Sequence, residues 1–266
     1  MSTISLILWC LLIGSTAGLL AGLLGVGGGL IVVPALSAVL AHTAPAAPIA
    51  HIAVATSLAS IFFTGLSSAW QHQRLGHIDR FWVLQLAPAI LIGTVIGSVL
   101  AAWVSGAMLN LAYLCFALWA GWRMWRKAPA HPQAKNRLPP VPAGGLIGMI
   151  SAWVGIGGGT LIVPYLHAKQ LALPRAIGTS AALGVPIAFA GAVTYALSGW
   201  AQPHLPPASL GFIWLPALLL IAMASVLTAP WGARLSSRLP AAKLKRIFAV
   251  LLWLVALNTA RHIMSQ

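Results

Sequence analysis

The sequence predicts an all-α integral membrane protein built from two inverted-topology repeats, each a glycine-broken helix hairpin followed by three transmembrane helices. Three observations predict it: apolar runs of near-bilayer length along the whole chain, a glycine-rich block that returns after 130 residues, and one-sided placement of basic residues. Of the 266 residues 60% are hydrophobic and 6% charged, with a mean hydropathy of +0.94, whereas a soluble domain carries about a quarter charged residues. A soluble fold of this length cannot hide so much apolar surface. The runs are continuous, without the apolar/polar alternation of membrane strands, so helices and not a barrel must span.

Taken in order, residues 3–24, 29–41, 48–69, 80–104 and 106–122 form a first set of apolar segments. Residues 142–154, 158–169, 174–199, 211–233 and 247–263 form a second. Residues 1–124 are therefore read as the first transmembrane repeat and 142–266 as the second. Between them, 125–141 holds Arg126, Lys127, Lys135 and Arg137 with Pro129, Pro132, Pro139 and Pro140, a composition that suits a solvated linker. The opening segment has no Lys or Arg ahead of its apolar run and is expected to stay in the mature protein. Segments 142–154 and 158–169 would each span only about 18–20 Å, against a hydrocarbon core of about 30 Å. They are expected to be re-entrant or tilted half-helices that meet at Gly155 to Gly159. Residues 3–24 are long enough to cross.

The duplication is carried by Gly25-Val-Gly-Gly-Gly-Leu-Ile-Val-Val-Pro34, which returns as Gly155-Ile-Gly-Gly-Gly-Thr-Leu-Ile-Val-Pro164. Further on, Ala55-Thr-Ser-Leu58 returns as Gly178-Thr-Ser-Ala181, and Pro88 has a looser counterpart in Pro216. Orientation follows from the positive-inside rule. With the linker in the cytoplasm, every one of the 15 Lys and Arg residues except Arg261 falls on the cytoplasmic side. The loops at 42–48 and 200–210, expected outside, hold no Lys or Arg. The second half then runs opposite to the first.

The net charge of +14 is explained by those loops, and nucleic acid is dropped as a partner. Cys10 and Cys115 lie in apolar segments and form no motif, so they read as packing residues. The histidines show no metal-ligand spacing, and neither a metal nor another cofactor is expected. His51, near the start of the third segment, reads as an interfacial residue. Trp70, Trp82, Trp103, Trp122, Trp125, Trp200 and Trp214 lie near segment ends and read as an aromatic belt.

A Gly-x-Gly-Gly-Gly run inside an apolar segment weakens a helix and frees amides that lipid cannot satisfy. Gly25, Gly27, Gly28 and Gly29 from one repeat, and Gly155, Gly157, Gly158 and Gly159 from the other, are expected to aim amides and helix N-termini at a shared anion. The competing reading is close packing through small residues. Thr56, Ser57, Thr179 and Ser180 could add hydroxyls to that site without bringing in a charge. The glycines are not a nucleotide-binding fingerprint, because no strand flanks them and no acid follows. Asp79 is the sole acid, so the spans lack the carboxylates of a proton relay or cation site. Cation transport is disfavoured. An anion leaving a cell that is negative inside gains about 2.3 kcal/mol per charge per 100 mV.

The two glycine-to-proline blocks, the Thr-Ser pairs and the basic central loop resemble the TauE/SafE sulfite exporter family over nearly the whole chain. The resemblance implies a multi-pass permease of the bacterial cytoplasmic membrane that exports sulfite, sulfoacetate or related organosulfur or carboxylate anions, and not an enzyme. Alternating access about a midplane site is the expected mechanism. An anion channel is the alternative, and a non-transport membrane assembly factor ranks lower. The expected partners are a small anion and the lipid bilayer, and a homo-oligomer is compatible with the sequence.

Overall fold

A computed structural model describes residues 3–25, 27–125 and 138–236, with 249–250, 253–254 and 256–257 near the C-terminus. The first half forms α1 (Thr3–Leu24), α2 (Gly29–Thr43), α3 (Ile49–Arg74), α4 (Arg80–Trp103) and α5 (Gly106–Trp125). The second forms α6 (Pro140–Val154), α7 (Gly159–Ala168), α8 (Leu173–Ser198), a two-stranded hairpin of β1 (Ser209–Leu210) and β2 (Ile213–Trp214), and α9 (Leu215–Ser236). The central basic residues Arg126 to Arg137, the basic run Arg238 to Arg246 and most of segment 247–263 lie outside the described residues; those described within 247–263 are helical.

Five helices, α1, α3, α4, α8 and α9, are long and apolar enough to cross a membrane. Of these, α3 and α8 are the most buried and lie against each other at the centre. The outer helices turn large apolar side chains away from the protein, with Leu84 75%, Leu227 68% and Trp231 69% exposed. Such a surface is tolerable only against lipid.

The helices pair across the halves. The first helix of each half lies along the fourth helix of the other, α1 on α9 and α6 on α4. Small residues permit the approach. Gly14, Gly18 and Gly22 form a stripe on α1, and a Cβ on Gly18 would fall 2.6 Å from the Ser225 Cα of α9. The residues 130 positions later, Gly144, Gly148 and Ala152, hold the same stripe on α6. There a Cβ on Gly148 would come within 2.8 Å of the Thr94 amide of α4.

Both hairpins break at their glycines for a conformational reason. Helix α6 ends where Gly155 turns to φ +73°, and α7 starts after Gly158, also at +73°. Gly28, at φ +76°, stands in the same N-cap place before α2. These are left-handed conformations that glycine adopts without penalty. With 10 residues, α7 is about 15 Å long, half a bilayer core.

Three expectations require correction. The ninth segment starts at Leu215 rather than 211, because Gly211 at φ +55° turns the chain into the β1–β2 hairpin. That hairpin tucks Phe212 and Trp214 inside, at 2% and 6% exposure, so Trp214 does not join an aromatic belt. His51 is also interior: it stacks on Phe212, 5.1 Å between ring centroids. Its Nε2–H points at the carbonyls of Ala101 and Val104, at 3.2 and 3.1 Å, where α4 ends.

Candidate substrate site between the glycine breaks

The two glycine breaks meet at the centre of the protein. A Cβ on Gly27 would lie 3.0 Å from the Gly157 Cα, so backbone touches backbone with no side chain between. Each break is held by the opposite half. The Ser57 hydroxyl of α3 donates to the Gly155 carbonyl at 2.8 Å, and the Ser180 hydroxyl of α8 donates to the Gly25 carbonyl at 3.1 Å. Serine follows threonine in both motifs, and the first glycine of the other motif accepts in both cases.

The threonines take part in a second exchange. Thr179 on α8 accepts from the Asp79 amide at 2.9 Å, just before α4 begins. Thr56 on α3 accepts from the Trp214 amide at 3.0 Å, just before α9 begins. All four hydroxyl-bearing residues are fully buried. Together they tie the two central helices to the glycine breaks and to the fourth spans.

A small cavity opens beside this junction, lined by Gly25, Gly27 and Gly157 of the breaks, by Ile61, Gly65 and Ser68 of α3, and by Ala21, Ala181 and Gly184. Three of the sequence-predicted glycines therefore share one cavity wall. The others pack instead. Gly28 lies against Ala17, Gly29 against the Gly155 carbonyl, and Gly158 against Ile187 and Ile162. Gly159 is buried as the first residue of α7.

The amides of Gly157, Gly158, Gly159 and Thr160 donate to no acceptor among the described residues. These are the orphan donors of a helix start, and Gly158 as N-cap brings no side chain to meet them. The start of α7 thus supplies directed N–H groups and the positive end of a helix dipole within an apolar setting. The arrangement can bind a small anion without a charged side chain.

Charge stands at one end of the bundle. Asp79 caps α4 by accepting from the amides of Phe81 and Trp82, at 3.1 and 3.4 Å. Beside it, burial first and the Arg175 charge second hold His77 below its usual pKa of 6.5. No cluster among the described residues could hold a metal ion.

Sequence reasoning missed Ser68, Gly65 and Gly184 as cavity-lining residues. The signal was present for α3, since residues 61, 65 and 68 recur at helical spacing on one face.

The family model described as "Sulfite exporter TauE/SafE" matches residues 10–259. The chain belongs to this family. A probable membrane transporter protein of Haemophilus influenzae is 38% identical over 256 residues, covering 95% of this chain and 97% of the relative. A probable membrane transporter protein of Methanocaldococcus jannaschii is 22% identical, covering 93% and 92%. A third, from Xylella fastidiosa, is 30% identical over 63% of this chain and 65% of its own length. No solved structure matches. The TauE/SafE chain is thus a multi-pass membrane protein in a family of transporters and not of enzymes.

Proposed function

We propose that this protein exports a small anion, sulfite, sulfoacetate or a related organosulfur or carboxylate anion, across the bacterial cytoplasmic membrane. The observation that carries the proposal is the cavity at the junction of the two glycine breaks, walled by backbone from both halves, with Gly157 in its wall and the Gly157 amide without an acceptor among the described residues. Such a site pays the desolvation of an anion with N–H groups and a helix dipole. The absence of any acid in the sequence other than Asp79 agrees with a site for negative charge.

Residues 1–124 and 142–266 are the two repeats on this reading, related by an inverted topology, with 125–141 in the cytoplasm. Paired bonds support it, since Ser57 and Ser180 each clasp the other repeat's break. Alternating access then follows as rocking of α3 against α8 around the junction, exposing the cavity first to one side and then to the other. Gly27, Gly157 and Gly25 contact the anion. Ser57, Ser180, Thr56 and Thr179 position the backbone that does so.

The test is sulfite efflux from preloaded proteoliposomes at set membrane potentials, with chloride and acetate for comparison and Gly65→Ala as the site variant. Gly65 lines the cavity, and a Cβ there meets one tight neighbour, the Val185 Cγ2 at 3.3 Å, which has to give by a few tenths of an ångström, so monodisperse protein is the control for the variant. Saturable sulfite flux that falls in the variant supports the reading. Flux that stays linear in concentration marks a channel. No flux of any small anion removes the proposed activity.

A further inference from the structure

The cavity has an uneven lining. Ser68 is the one hydroxyl among its lining residues, is 2% exposed, and its Oγ has no hydrogen-bond partner. Ser98, Ser151 and Thr160 are also buried without a partner, but none of them lines the cavity. Thr64, Thr94 and Thr194 all bond back to a carbonyl of their own helix, as hydroxyls in membrane helices generally do. Ser68 leaves its hydroxyl uncommitted, in the wall of the cavity.

Past Ser68 the same face of α3 continues with Gln71 and His72, three and four residues on, towards the end that carries Arg74. Both are buried, at 5% and 0% exposure, and each keeps an unpartnered atom, Gln71 Oε1 and His72 Nδ1. His72 Nε2–H donates to the Gly22 carbonyl at 3.2 Å, one residue from the cavity-lining Ala21. Its ring lies 5.8 Å from His77, whose Nδ1 is also buried without a partner and which feels the charge of Arg175. Buried polar atoms left in this state imply something that meets them.

Helix α8 has no such file. Counting from Thr56-Ser57 to Thr179-Ser180, the counterparts of Ser68, Gln71 and His72 are Gly191, Thr194 and Tyr195. Thr194 bonds the Ala190 carbonyl, and Tyr195 bonds the Ala152 carbonyl at 3.1 Å and packs against Phe212. The file of unpartnered polar atoms that leads on from the cavity along α3 therefore has no equivalent on α8.

We propose that the cavity is loaded from the α3 C-terminal end, along His77, His72 and Gln71, and that the Ser68 hydroxyl donates to the arriving anion. This names a route and a contact for the site proposed above and rests on that reading. The lining offers a donor at Ser68 and acceptors at Gln71 Oε1 and His72 Nδ1. The group that suits it has both lone pairs and hydrogens: a small oxyanion that is hydrated or singly protonated. Arg175 at the mouth raises the local concentration of such an ion.

The experiment uses the full chain with Cys10→Ala and Cys115→Ala as background, carrying Ser68→Cys or, as the control, Thr194→Cys. Membrane vesicles of known orientation, fixed by protease cutting in the 125–141 linker, are treated with impermeant methanethiosulfonates of either charge. The expected result is labelling of Ser68→Cys from the linker face, about tenfold faster with the anionic reagent, and none of Thr194→Cys from that face. Sulfite should protect. Labelling of Ser68→Cys solely from the opposite face, or from neither face in protein that remains monodisperse, overturns the proposal. Because labelling needs no transport, it decides the route even where the efflux assay fails. In the flux assay, Ser68→Ala should raise the half-saturating sulfite concentration about tenfold by removing a hydrogen bond to a charged group, and an unchanged value rejects Ser68 as a contact.

Discussion

At the scale of single residues, the Thr-Ser pairs divide their work. Each serine hydroxyl donates to a glycine carbonyl of the opposite break, and each threonine accepts an amide that starts a fourth span. Removing the Ser57 hydroxyl leaves the Gly155 carbonyl buried without this donor, which costs about 1–3 kcal/mol. Ser57→Ala and Ser180→Ala should each lower the thermal midpoint of detergent-purified protein, and the two losses should be alike in size. Thermal scans by tryptophan fluorescence check this, and a null effect for either would show that its bond does not hold the break. His77 gives a pH-dependent counterpart. Burial and Arg175 make it harder to protonate in the folded state than in the unfolded one, so the unfolded state binds more protons as pH falls through 6.5. Stability carried by neutral His77 is present above that pH and declines below it. His77→Asn should flatten the fall in thermal midpoint from pH 7 to 5, and an unchanged slope would assign it to other groups.

At the scale of elements, the small-residue stripes decide which helices touch. A side chain at Gly18 would meet the α9 backbone, and one at Gly148 would meet α4. Gly18→Val and Gly148→Val are each expected to destabilise by at least the 1–3 kcal/mol typical of overpacking. Reduced monodisperse yield on size exclusion is the readout, with Gly76→Ala, where no atom lies within 4 Å, as a measure of left-handed strain alone. The ends of the helices were legible because apolar length and glycine breaks both mark them, and α1, α4 and α6 begin or end within about two residues of expectation. The pairing of α1 with α9 was not legible. Lipid-facing and protein-facing sides are both apolar in α1, where exposed Leu8, Leu12 and Leu19 alternate with buried Ile13 and Leu23, so no amphipathic stripe points to a partner. Within the candidate site, the cavity-lining Gly25, Gly27 and Gly157 stood out in the sequence by the double occurrence of their motif. Ser68 could not, since a lone serine in a membrane helix ordinarily satisfies itself.

At the scale of the whole molecule, the two halves are exchanged rather than stacked. Neither buries its own first helix, because α1 needs α9 and α6 needs α4. A chain divided between residues 130 and 131 should therefore yield two fragments that are unstable when expressed singly and copurify when expressed together. Affinity capture of a tagged 1–130 fragment, with blotting for the untagged 131–266 fragment, reads this directly. A monodisperse 1–130 fragment on its own would contradict the exchange.

The α1–α9 contact also sets a clock on biogenesis. The helix made first is matched to one that starts at Leu215, so nearly two hundred residues must be synthesised before the Gly14-Gly18-Gly22 stripe finds its place. Throughout that interval a flat glycine surface stands in the bilayer open to any other small-residue helix. Assembly of this fold is thus governed late, by the arrival of α9, and a lesion in α9 strands the beginning of the chain as surely as a lesion in α1 itself.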